Sequence, residues 1–197
     1  MNIILGSQSK GRAKVLTELG ISFTQMSADI DEKSIRHEDA TQLTLLLSRA
    51  KADALLLKIQ ERAILITSDS VVVCDGKILE KPVDATEVRE FLAMYAKHPA
   101  QTVTSVVAAN TETGKRAEGT DIATIFFKEV PAERVEEIIA EGICFTQAGG
   151  FGVQNPLFQP FVTIEGEIES VMAMPKALTL RLLAEVGYDQ TAKTISA

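Results

Sequence analysis

Asp69 interrupts an apolar run, and a carboxylate in that setting is the first group in this sequence with chemistry to do. Residues 64–66 and 71–73 are apolar and mostly β-branched, the composition of a central strand covered on both faces. Thr67, Ser68, Asp69 and Ser70 lie between them. Aspartate is depleted in strands because its ionised form does not tolerate an apolar interior without partners, so another group must compensate Asp69. Asp75-Gly76 then has the chemistry of a tight hairpin turn, which folds residues 77–80 back beside the strand and carries Lys81 toward the same region. A carboxylate on a strand and an ammonium at the end of its neighbour are the start of a site. The plainer reading leaves Asp69 at a strand bend and Lys81 as a solvated charge.

A second group of candidates stands near the N-terminus. Residues 2–6 have the pattern of a short strand, and Ser7-Gln8-Ser9-Lys10-Gly11-Arg12 leads into a helix over residues 13–19 that Gly20 closes. Such a loop turns unpaired backbone N–H groups and two hydroxyls toward whatever lies beyond the strand end. The positive end of the helix dipole favours an anion there. With Lys10 and Arg12 added, phosphate is the natural guest; Ser9 as a simple N-cap and Arg12 as a surface charge are the alternative. Further on, Asp29, Asp31 and Glu32 crowd three carboxylates into four residues. Hard divalent cations take such oxygens, although the spacing fits no EF-hand loop and acidic clusters of this kind are often simply solvated.

The elements that must position these residues follow from periodicity and punctuation. Residues 22–26 form a second strand, and residues 41–58 a long helix with Leu43, Leu46, Leu47, Ala50, Ala54 and Leu57 on one apolar stripe. Lys51 stands beside that stripe, where a lysine can snorkel outward or reach into a cleft. Asp84 and Glu87 make a capping-box start for a helix to Tyr95. Residues 102–109 and 121–127 are strands joined through Thr113-Gly114, and Pro131 opens a helix that Gly142 ends. The segment from Gln147 to Pro156 carries three glycines within four residues, which permits close backbone approach. Residues 157–164 continue the sheet, Pro175 starts the last helix through Ala184, and the polar tail 187–197 is expected to fray.

Composition limits the function classes. A chain of 197 residues can bury a sizeable core, and with no internal repeat, linker or low-complexity segment a single domain over 1–197 is expected. The formal charge of -7 speaks against a groove for polymeric nucleic acid, though not against a small anion held by local cations. Cys74 and Cys144 lack metal-ligand spacing and lie in apolar surroundings, so both are expected as reduced core residues. The first five residues have no basic start or long apolar run, and no stretch approaches the roughly 20 apolar residues that span a bilayer. A cytoplasmic protein without a membrane partner is expected.

Taken together, the pieces resemble the Maf family of septum-formation-inhibitor-like nucleotide pyrophosphatases over residues 3–186. The marks are Ser7-x-Ser9-x-x-Arg12, Asp31-Glu32, Ala50-Lys51-Ala52, Ser68-Asp69-Ser70, Glu80-Lys81-Pro82 and Ala148-Gly-Gly-Phe-Gly-Val-Gln154, in that order. The resemblance implies an elongated, two-lobed α/β fold with a central mixed sheet flanked by helices, like that of inosine triphosphatases. It also implies magnesium- or manganese-dependent hydrolysis of nucleoside triphosphates to monophosphate and pyrophosphate, and a homodimer. Members usually carry Pro-Arg where this chain has Lys10-Gly11, which takes the cation away from position 11.

The chemistry of the residues agrees with that implication. Cleaving the α–β bond of a triphosphate needs cations around the transferring centre and a metal bridging phosphate oxygens. Arg12, Lys51 and Lys81 supply fixed cations, Ser7 and the loop amides can hold phosphate oxygens, and Glu32 and Asp69 can hold the metal or orient water. Asp69 is the expected general base, because a partly desolvated carboxylate can take the proton of a metal-bound water. The family's subgroups differ at the positions of Gly11, Ser70 and Gln154. Ser70 is a small hydroxyl, and Gln154 offers a donor and an acceptor suited to a uracil-type edge. No tryptophan exists to stack on a methylated, cationic purine. Pyrimidine triphosphates, dTTP and UTP with room for CTP, are therefore expected. The rivals are an inosine-triphosphate-type or 7-methyl-GTP pyrophosphatase and a non-enzymatic nucleotide-binding regulator of cell division.

Overall fold

The structure, a computed structural model, describes residues 1–189, so the predicted fraying of the tail from residue 190 onward lies outside the described residues. A mixed sheet of seven strands runs through the molecule in the order β2-β1-β3-β5-β6-β7, with β4 paired to β3 beside that path. The strands are β1 (Asn2–Leu5), β2 (Thr24–Gln25), β3 (Ala63–Cys74), β4 (Lys77–Leu79), β5 (Ala100–Asn110), β6 (Arg116–Phe127) and β7 (Val162–Glu165). The helices that flank it are α1 (Lys10–Glu18), α2 (Ala40–Leu56), α3 (Ala85–Tyr95), α4 (Ala132–Glu141), α5 (Ile168–Val171) and α6 (Lys176–Glu185). This is the mixed, helix-flanked α/β sheet expected from the sequence.

Strand β3 explains where a site can form. Its first four residues pair with β1 in parallel, and residues 72–74 pair with β4 in antiparallel fashion, while β5 runs along its other edge from Ile64 to Cys74. Residues 67–71 therefore have a strand on one side only. β1 has ended and β4 has not begun, so the opposite edge of the strand at Asp69 has no strand partner, as at the carboxyl ends of strands in α/β sheets generally. Apolar packing secures both ends of the gap. Ile64 and Ile66 pack with Leu5, Leu16, Leu178 and Leu182 on one face, Leu65 with Leu55 and Ala52 on the other, and Val72 with Phe91, Tyr95, Phe151 and Phe158 beyond the gap. Cys74 and Cys144 are both buried free thiols within the third of these groups.

Several boundaries differ from the sequence reading for identifiable reasons. Helix α1 begins at Lys10 rather than residue 13, because the Ser9 hydroxyl caps it by accepting from the Arg12 backbone N–H at 3.4 Å. Lys10, Gly11 and Arg12 therefore stand on the first helical turn. The apolar stripe assigned to α2 is out of phase: Leu46 is 38% and Leu57 is 89% exposed, and the buried side carries Thr44, Ser48 and Lys51 among Leu43, Leu47, Ala52 and Leu55. That face is partly polar because the strands beneath it offer Thr67 and Ser105. The Thr67 hydroxyl donates to the Ser48 carbonyl at 2.8 Å, and the Ser48 hydroxyl donates to the Ser105 carbonyl at 3.0 Å. A turn at Gln159–Phe161 replaces the first half of the seventh strand, where Pro160 has no N–H to give a ladder. The capping box of α3 forms, with Asp84 accepting from Thr86 and Glu87 amides and Glu87 accepting from the Val83 amide.

The glycine-rich segment is pinned to the end of β4. Gly149 adopts φ +68°, its N–H donates to the Glu80 carbonyl at 2.9 Å, and its carbonyl accepts from the Tyr95 hydroxyl at 2.6 Å. A Cβ there would meet Tyr95 Oη at 2.7 Å and Val72 at 2.9 Å. Gly149→Ala is expected to cost about 1–3 kcal/mol, the range for forced overpacking, with left-handed strain adding to it. An unfolding midpoint in urea equal to that of the unaltered protein would contradict this packing.

Candidate active site

The open edge of β3 collects charge. Side chains alternate along the strand, so Thr67 and Asp69 face α2 while Ser68 bonds the Ala173 carbonyl, in the segment that follows α5, and Ser70 pairs with Thr104 of β5. Lys51 comes down from α2, one turn beyond Ser48, and its Nζ lies 2.6 Å from Asp69 Oδ1 and 3.1 Å from Glu32 Oε1. Asp69 and Lys51 are each 7% exposed. Glu32 reaches the pair from a single turn, Glu32–Ser34, that Asp31 caps by accepting from the Lys33 amide. Of the acidic cluster, Glu32 thus takes part in the charge centre and Asp31 shapes its loop.

Burial pushes the Asp69 carboxyl above the usual carboxylate range; the Lys51 ammonium and the Arg12 guanidinium pull it back, while Glu32 adds to the rise. Burial likewise holds the Arg12 guanidinium below its ordinary value, against the attraction of Asp69 and Glu32. A desolvated carboxylate that is reluctant to ionise alone becomes a good ligand for a divalent cation, whose charge favours its ionised form. Among the described residues no cluster of three or more acidic, histidine or cysteine ligands exists. The convergent pair Asp69 and Glu32 nevertheless fits magnesium, which takes one or two protein carboxylates and completes its shell with phosphate oxygens and water.

Arg12 links this centre to the N-terminal loop. Its Nη1 donates to Ser7 Oγ at 3.0 Å and its Nε to the Ala173 carbonyl at 3.1 Å, a carbonyl that also accepts from the Ser68 hydroxyl at 3.0 Å. Ser7 Oγ additionally accepts from the Ser9 amide at 3.2 Å, so both its lone pairs are engaged and its O–H is left to donate to an anion. Ala173 sits at φ +64°, a conformation costly for a residue with a Cβ and one that clusters at functional sites.

Beyond the Ala173 strap opens a cleft of about 760 Å³, which holds Lys10, Gly11, Lys81 and Gln154 in its walls. Neither Lys10 nor Lys81 has an ion pair among the described residues. The predicted residues thus fall into two neighbouring sets: Ser7, Arg12, Glu32, Lys51 and Asp69 form the charge centre, and Gly11, Lys81 and Gln154 line the cleft. Ser70 belongs to neither. Its hydroxyl is 2.8 Å from that of Thr104 on β5, which donates to the Ser170 carbonyl at 3.2 Å, so Ser70 is joined through Thr104 to α5. Sequence reasoning missed Ala173, Ser48 and Thr67. Nothing in the local sequence marks the carbonyl of Ala173, whereas the polar residues at helical spacing in α2 carried a signal for a mixed face.

The chain belongs to the Maf family: the profile of Maf-like proteins matches residues 2–186. It is 46% identical over 192 residues to a 7-methyl-GTP pyrophosphatase of Dictyostelium discoideum, covering 94% of this chain and 97% of that protein. It is 35% identical over 191 residues to a dTTP/UTP pyrophosphatase of Chromobacterium violaceum, covering 95% and 96%. A solved structure, the nucleoside-triphosphatase / dITP/XTP pyrophosphatase of Mycobacterium abscessus, shares 16% identity at a TM-score of 0.45 over 93% of each chain, too distant to support an argument about this site.

Proposed function

We propose that this protein is a nucleoside triphosphate pyrophosphatase, releasing a nucleoside monophosphate and pyrophosphate. The observation that carries the reading is the buried Asp69 at the open edge of β3, neutralised by Lys51 and faced by Glu32, with the Arg12 and Ser7 anion loop alongside. Glu32 and Asp69 would hold a magnesium or manganese ion, which neutralises phosphate charge and acidifies water. Arg12, the Ser7 hydroxyl and Lys51 bind and orient the phosphates at the charge centre, and Lys81 meets the triphosphate from the cleft. Asp69 accepts the proton of the attacking water at its carboxylate.

For the base, the reading is a pyrimidine, UTP or dTTP. The exposed Gln154 amide in the cleft wall offers hydrogen bonds to a uracil edge, and no tryptophan is present to cover a cationic purine. A second reading, 7-methyl-GTP, is favoured by the 46% identity to the Dictyostelium protein of that name. A dimer and a cytoplasmic setting belong to the same proposal; among the described residues no helix is long and apolar enough to cross a membrane. A turnover screen of common and modified nucleoside triphosphates with magnesium, detecting pyrophosphate directly, tests the proposal. Pyrophosphate release with a higher kcat/KM for UTP and dTTP than for 7-methyl-GTP is expected. The reverse order would replace the pyrimidine reading by the second one, and nucleotide binding without any pyrophosphate would leave a regulator rather than an enzyme.

A further inference from the structure

Glu141 carries an acidic group into the cleft at a place where the fold does not need one. It is the last residue of α4, and helix C-termini disfavour carboxylates because the unpaired carbonyls already point their negative ends there. The helix is closed without it, by Gly142 at φ +77° donating its N–H to Ile138 and Ile139 carbonyls. What holds Glu141 is Asn155, whose Nδ2 donates to Glu141 Oε2 at 2.6 Å. Asn155 is 8% exposed, and its own Oδ1 accepts from the Leu157 amide at 2.8 Å, which fixes the amide with its NH₂ toward Glu141. The second carboxylate oxygen, Oε1, has no protein donor among the described residues.

Gln154, the chain neighbour of Asn155, lines the same cleft with the opposite polarity. Its Oε1 accepts from Lys14 Nζ at 3.3 Å, and its Nε2 faces only the Met172 thioether at 3.0 Å, a weak acceptor that a carbonyl would readily displace. The cleft wall therefore carries a donor, Gln154 Nε2, and an acceptor, Glu141 Oε1, the latter on a carboxylate tied to the chain neighbour of Gln154. A base edge with a carbonyl beside a ring N–H complements such a pair. Uracil and thymine have that edge, as do guanine and hypoxanthine. Cytosine and adenine present an amino group beside a ring lone pair, which in the same pose sets donor against donor and lone pair against carboxylate.

We propose that Glu141, held by Asn155, is a specificity-determining residue that accepts the ring N–H of a keto base while Gln154 donates to the adjacent carbonyl. This rests on the nucleotide reading of the cleft, and it narrows the room that the pyrimidine reading left for CTP. A site built to hydrogen-bond one edge rejects the mismatched edge strongly, because its polar groups are left unpaired.

The test compares UTP with CTP in the unaltered protein and in Glu141→Gln. Turnover gives kcat/KM, and calorimetry with the α,β-methylene analogues of both nucleotides gives binding without hydrolysis. In Glu141→Gln the Asn155 NH₂ keeps the amide oxygen, so the free end changes from acceptor to donor. The unaltered protein is expected to favour UTP over CTP by at least about tenfold, and the variant to lower that ratio by about tenfold or more, at the scale of one reversed hydrogen bond. Asn155→Ala, which frees the carboxylate, should lower the ratio in the same direction. Equal use of both nucleotides by the unaltered protein, or a ratio untouched by Glu141→Gln, overturns the proposal while leaving the hydrolase reading intact. Discrimination in binding without hydrolysis upholds the proposal and sinks the hydrolase reading instead.

Discussion

Asp69→Asn is expected to fold normally and to lose turnover by about 10²–10⁴-fold, the usual contribution of a general base, with loss of a metal ligand adding to it. The amide fills the same volume at the open edge of β3, and its oxygen can still accept from Lys51 Nζ, which now lies 2.6 Å from Oδ1. The fold therefore keeps its contact while the site loses its charge. What disappears is the capacity to take a proton and to attract a divalent ion. A purified, folded variant that retains more than about a tenth of the original turnover at saturating magnesium would exclude Asp69 as the base.

Lys51→Met should have the largest effect on stability. The ammonium stands between two carboxylates, and both it and Asp69 are almost fully buried, so its removal takes away the nearest partner of Asp69 and leaves only the Arg12 guanidinium to offset its charge in a dry environment. Breaking a buried pair by deleting one partner costs about 3–5 kcal/mol. The same argument gives a metal dependence. A divalent cation held by Asp69 and Glu32 replaces the lost positive charge, and any ligand that binds only the folded state stabilises it in proportion to its affinity. Magnesium should therefore raise the unfolding midpoint of Lys51→Met by more than that of the unaltered protein, while turnover falls in the variant at every magnesium concentration. Equal stability of the two proteins without metal would show that Lys51 is not what neutralises Asp69.

Sequence patterns mark the charge centre more clearly than the faces on which it is built. The interruption of an apolar strand by Asp69 was visible because charge in a buried strand is costly, and the Asp75-Gly76 turn was visible because few residues tolerate left-handed backbone; Asp75 adopts φ +48° and Gly76 φ +71°. Asp69, Lys51, Glu32 and Arg12 accordingly come together in space. The phase of α2 departs from its hydrophobic periodicity because that periodicity equates burial with apolar burial. Here Thr44, Ser48 and Lys51 are buried against strand hydroxyls and a carboxylate, while Leu46 and Leu57 face outward. Polar burial of this kind adds nothing to a hydrophobic period, since it depends on partners elsewhere in the chain, Asp69 for Lys51 and Ser105 for Thr44 and Ser48.

The contacts made by backbone carbonyls were out of reach for a related reason. The Ala173 carbonyl joins Arg12 and Ser68 across more than a hundred residues, and any residue type has a carbonyl to offer. The placement of Ser70 shows the same limit in reverse. Its hydroxyl suits a base or a neighbouring strand equally well, and only the register that sets it opposite Thr104 reveals the second engagement.

The central claim is that water attacks the α-phosphorus of a nucleoside triphosphate held between the Arg12 loop and Asp69. Hydrolysis of UTP with magnesium in ¹⁸O-labelled water, followed by mass spectrometry of both products, tests it directly. The account predicts a single ¹⁸O atom in UMP and unlabelled pyrophosphate. Label in the pyrophosphate, or products consisting of UDP and orthophosphate, would contradict it.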